Sequence, residues 1–84
     1  MAKSKPIPFA EFRDFLNGLG FKSHQVDTGW VFQHPTDGPL VFRAYAEGEA
    51  VAERDLRSTR KFLDWRGVLA AEEFDAFVQR ATPA

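Results

Sequence analysis

At Phe21 the spacing of apolar residues changes, and that change restricts the chain to a mixed fold. Before it, Phe9, Phe12, Leu16 and Leu19 recur at helical intervals with Phe15 beside them, the pattern of a helix with one aromatic buried face. After it come three short β-favouring runs, Phe21 to Val26, Trp30 to His34 and Leu40 to Tyr45. Asp27-Thr28-Gly29 and Pro35-Thr36-Asp37-Gly38-Pro39 separate the runs, and both are turn sequences that join antiparallel neighbours. Pro6-Ile7-Pro8 announces the first helix, because a first-turn proline lacks only an N–H that has no helical partner anyway. The spacing predicts that helix over about 8–18, with Asn17-Gly18 closing it through a left-handed glycine.

The helical period returns after Glu47-Gly48-Glu49. A second helix is predicted from Ala52 to Trp65, with Leu56, Thr59, Phe62 and Leu63 toward the core, until Gly67 interrupts it. A third runs from Ala70 to Arg80 on a stripe of Phe74, Phe77 and Val78, with Glu72, Glu73 and Asp75 early in it, where the helix dipole favours acids. The fold class expected is therefore α+β in the order α-β-β-β-α-α, a three-stranded antiparallel sheet packed against helices. Alternation sets Trp30, Phe32, Leu40 and Phe42 against Val31, Val41 and Tyr45, so both sheet faces hold apolar residues. One face is expected against the helices, and the second against a partner or the chain's own C-terminal part.

A chain of 84 residues closes one core, here assigned to 8–81 between a disordered lead at 1–7 and a frayed tail at 82–84. It has no cysteine, which removes disulfides, thiolate-bound zinc, iron–sulfur clusters and thiol nucleophiles as possibilities. No apolar stretch reaches membrane length, and the charged lead is not followed by the apolar run of a signal peptide, so a cytoplasmic domain with no membrane partner is expected. The net charge of −1 confines any polyanion site to a local patch.

Such a patch exists on the second helix. Arg54, Arg57, Arg60 and Lys61 fall together on its outer side, where they can meet phosphates without reading bases, with Lys22 and Arg43 as further candidates. Glu53 four residues before Arg57, and Asp64 close after Arg60 and Lys61, offer the competing arrangement of surface ion pairs. Trp30, Val41 and Tyr45 mark the second sheet face as a surface for a protein partner or a second copy of the chain. Among groups able to move protons, His24 stands alone on the first strand, and His34 before Pro35 is expected to hydrogen-bond the turn it enters. No phosphate loop, nucleophile triad or metal-ligand spacing is present, so neither metal nor cofactor is expected.

This order of elements, the Gly18-Leu19-Gly20-Phe21 step, the Phe32-Gln33-His34-Pro35-Thr36-Asp37-Gly38 strand-to-turn and the Asp55-Leu56-Arg57-Ser58-Thr59-Arg60-Lys61-Phe62-Leu63 helix resemble the HicA-type toxin family over about residues 9–78. The resemblance implies a fold like that of a double-stranded-RNA-binding domain, RNA as a ligand, and an antitoxin-like protein as a partner. Members of that family cleave mRNA with a histidine in a Gly-Ser-His stretch just upstream of the His-Pro turn. Anchored on His34-Pro35, that position falls here at Gly29 or Trp30, and neither can take or give a proton. Ser23-His24 has the dipeptide about five residues too early. The expectation is a non-catalytic RNA-binding domain, with His24 the single candidate for a residual ribonuclease.

Overall fold

The computed structural model describes residues 7–37 and 39–81. It has the order α1 (Phe9–Gly18), β1 (Lys22–Val26), β2 (Gly29–Gln33), β3 (Leu40–Arg43), α2 (Glu53–Trp65) and α3 (Ala71–Ala81). The strands form one antiparallel sheet in the order β1-β2-β3. This is the α+β arrangement that the period change predicts. The tail at 82–84 and most of the lead lie outside the described residues, but Ile7 does not belong to a disordered lead. It is fully buried, and its carbonyl accepts the amide of Val51 at 2.9 Å.

The end of α1 departs from the sequence expectation in an informative way. Gly18 is still helical, and it is Gly20 that takes the left-handed conformation, at φ +104°. From there the Gly20 amide donates to the Asn17 carbonyl at 3.1 Å and the Phe21 amide to that of Leu16 at 3.2 Å. This pair of bonds satisfies two orphan carbonyls and places Phe21 in the core near Leu16. The same device closes α2, where Gly67 is left-handed at φ +75° and Val68 donates to the Leu63 carbonyl at 2.9 Å. At its other end α1 has no side-chain cap, since Pro8 precedes it. The loop before α2 serves instead, because the Phe9 and Ala10 amides donate to the Glu49 and Glu47 carbonyls at 2.8 and 2.9 Å.

Register decides which sheet face is covered. Ser23, Phe32 and Leu40 lie abreast, as do Gln25, Trp30 and Phe42, and this side meets α1 through Phe9 and Phe12. Phe9 touches Phe12, Trp30, Phe32 and Tyr45, while Phe15 of α1 stacks on Phe77 of α3 at 3.8 Å. All three helices thus share one core on one side of the sheet. The opposite side carries Lys22, His24, Val31, Gln33 and Val41, with Val41 67% exposed, and no part of the described chain covers it.

Gly29 fits where it does for a steric reason. A Cβ there would stand 2.0 Å from the Phe42 carbonyl oxygen, so only glycine lets β2 lie this close to β3. The core also contains one polar misfit, because the Thr59 hydroxyl on the inner side of α2 is fully buried and has no hydrogen-bond partner among the described residues. An unsatisfied buried hydroxyl costs about 1–3 kcal/mol. Thr59→Val keeps the shape and removes the group, so thermal unfolding should shift upward by roughly 4–8 °C for about 1 kcal/mol recovered.

Candidate nucleic-acid interface

Helix α2 presents Arg54, Arg57, Ser58, Lys61 and Trp65 along one side, at the three- and four-residue spacings that align on a helix. With Arg60 and Phe62 they line a shallow, open groove of about 800 Å³. The four cations expected to cluster therefore do share a surface, but they are not equivalent. Arg60 is engaged by Asp75 of α3, its Nε and Nη2 donating to the two carboxylate oxygens at 2.8 and 3.1 Å. That bidentate pair raises the guanidinium pKa further and ties the two helices together. Arg57 has a loose i,i+4 contact of 4.0 Å with Glu53, in exposed positions where such a pair is weak. Arg54 and Lys61 have no acidic partner among the described residues, so the Asp64 pairing suggested by sequence spacing does not form for Lys61.

Lys22 and Arg43 do not join this group. Both belong to the outer strands of the sheet, whose uncovered face points away from the helices. Arg43 is moreover occupied, with its guanidinium 3.9 Å from the centroid of the Tyr45 ring and 2.9 Å from Glu49.

The protein-partner surface expected around Trp30, Val41 and Tyr45 is also divided by the structure. Only Val41 lies on the open face. Trp30 sits on the covered face, its ring 5.0 Å from Phe9 and its indole N–H donating to the Tyr45 carbonyl at 3.2 Å. Tyr45 is buried and stacked on Phe9 at 5.2 Å. The alternation used to place it outward fails because β3 ends at Arg43, two residues earlier, and the chain then turns toward α2.

Tyr45 takes up a different task, which is to hold the basic helix. The N-cap of α2 is Ala52, which has no side chain to cap with. The Tyr45 hydroxyl fills the gap, accepting the Ala52 amide at 2.9 Å and donating to the Asp55 carboxylate one turn into the helix. A capping box joins these two helix positions directly, whereas here a phenol stands between them. Burial, and then the bond to Asp55, push the phenol pKa above its usual value. The far end of α2 is held by Arg66, which donates to Asp37 at 2.8 Å and to the Thr36 carbonyl at 3.4 Å in the β2–β3 turn. These bonds, Arg66 foremost and then the Thr36 hydroxyl, keep the Asp37 carboxyl below the ordinary carboxylate range.

His34 lies in that turn and behaves as expected. Its Nδ1 accepts the Thr36 and Asp37 amides at 3.2 and 3.3 Å, and its ring packs on Phe21. His24 is exposed on the edge strand β1 opposite Val31, with no hydrogen-bond or charge partner among the described residues. The described residues contain no cluster of three or more metal-ligating side chains, and none of their helices is long and apolar enough to cross a membrane.

Trp65, which the sequence marks only as the end of α2, is 76% exposed at the end of the basic stripe. Its signal was available, since Trp65 lies four residues after Lys61 and eleven after Arg54. Comparison with family models, with curated proteins and with solved structures finds no match for the chain.

The cap predicts a definite pH dependence. Because folding favours the neutral phenol, the Tyr45 contribution is complete below the ordinary tyrosine pKa of 10.0 and is lost as pH rises through the higher folded value. Tyr45→Phe should cost about 1–3 kcal/mol at neutral pH. Denaturant melts of the two proteins at several pH values should converge above about pH 10 as the parent loses the bond.

Proposed function

We propose that this domain binds RNA through the outer face of α2, holding the phosphate backbone without cleaving it. The observation that carries the proposal is the groove in which Arg54, Arg57 and Lys61 lie side by side, with no acid among the described residues engaging Arg54 or Lys61. On a chain of net charge −1, three cations on one exposed helix face, of which only Arg57 has a loose acidic contact, make a local anion site. Helix geometry spaces them over about 10 Å, which suits successive phosphates of one strand. The sequence resemblance to HicA-type toxins supports the choice of RNA among polyanions. The non-catalytic part of the proposal rests on His24, which has no partner among the described residues to hold a tautomer or share a proton.

A second proposal, a protein partner such as an antitoxin-like chain on the open sheet face, draws on the exposure of Val41 and Val26. The two use opposite sides of the molecule and are separable by mutation.

The test is fluorescence anisotropy with a labelled RNA hairpin that has both a stem and a loop. With about three phosphate contacts, affinity should drop roughly 20–40-fold over a fourfold rise in salt. Arg54→Glu together with Lys61→Glu should abolish binding and leave the melting temperature nearly unchanged, while Lys22→Glu should leave binding intact. Binding that survives the double reversal overturns the assignment to α2.

A further inference from the structure

Trp65 brings an exposed aromatic plane to the basic groove. The indole is three-quarters exposed and lines the same groove as Arg54, Arg57 and Lys61. It does not hang loose from the helix end. The next residue, Arg66, is anchored to Asp37 and lies over the Trp65 ring at 5.5 Å. One face of the indole thus has a positively charged backing, and the groove side is open. The contrast with Trp30 is direct, since that indole is packed on Phe9 and its N–H is already bonded.

An aromatic plane beside a row of cations suits a ligand that carries phosphates and planar rings on one strand. In a duplex the bases are stacked on each other, so the groove could engage only backbone, and Trp65 would stay in water. In an unpaired strand a base is free to swing onto the indole, and every base has a face to offer. The geometry allows both contacts together: Lys61 and Trp65 are four residues apart, about 6 Å along the helix axis, roughly one extended nucleotide.

We propose that α2 binds unpaired RNA in preference to duplex, with Trp65 stacking on a base next to the phosphates held by Arg54, Arg57 and Lys61. This rests on the RNA-binding assignment of α2 and deepens it, by naming the form of RNA and a binding residue outside the charged set. The phosphates supply the salt-dependent part of the affinity, and the stacked base supplies a part that salt does not screen.

The experiment compares a labelled twelve-nucleotide oligouridine with a twelve-base-pair RNA duplex on the full chain, for the parent, Trp65→Ala and Trp65→Phe. The parent should bind the single strand more tightly. Trp65→Ala should weaken that binding about tenfold or more without changing duplex binding or the melting temperature, and Trp65→Phe should restore most of it. A parent that binds both forms equally or prefers duplex, or a Trp65→Ala chain that keeps the single-strand preference, overturns the stacking proposal while leaving the backbone assignment standing. If the parent binds neither form, both proposals fall, and the patch is then one for an acidic protein.

Discussion

The structure depends on a junction of aromatic rings at Phe9. That side chain is fully buried and meets Trp30 and Phe32 of the sheet, Phe12 of its own helix and Tyr45 of the connection to α2. A domain of this size has little surface to bury, so one residue that joins α1, β2 and the connection to α2 carries a large share of the packing. The nearly parallel stack of Phe9 on Tyr45, with 11° between the rings, is the most consequential of these contacts. It fixes the ring whose hydroxyl then caps α2.

From that point the placement of the basic face follows. The Tyr45 hydroxyl holds the first turn of α2 through Ala52 and Asp55, the buried Thr59 and Leu63 fix its inner side, and Arg66 secures its end to the β2–β3 turn. With the inner side committed, Arg54, Arg57, Lys61 and Trp65 can only face outward. Arg60 shows the opposite outcome for a cation of the same helix, since Asp75 uses it to join α2 to α3. Its charge is consumed by the fold, which leaves Arg54, Arg57 and Lys61 as the other cations lining the groove.

Much of this was legible in the chain. The Phe9, Phe12 and Leu16 stripe, both hairpins and the His34 turn are local patterns, and local patterns can be read from spacing. What was not legible depended on distant residues or on where an element stops. Strand alternation points Tyr45 outward only if β3 continues two residues beyond its end at Arg43. Asp75 lies fifteen residues from Arg60 and Asp37 twenty-nine from Arg66, so no helical wheel could pair them. Sequence spacing ends α1 at Gly18, but Gly18 and Gly20 both fit as its closing glycine, and only the buried position of Phe21 chooses Gly20. Trp65 is the exception, since its spacing on the basic side of α2 is visible in the sequence while its exposure follows from where α2 ends.

The most direct test of the central claim, that the outer face of α2 is the RNA-binding surface, is amide chemical-shift mapping of the chain during titration with the RNA hairpin. The account predicts changes concentrated between Arg54 and Trp65, with the Trp65 indole N–H moving and the Trp30 indole N–H, bonded to the Tyr45 carbonyl, remaining in place. Changes confined to Lys22, His24, Val31 and Val41 on the open sheet face would contradict it.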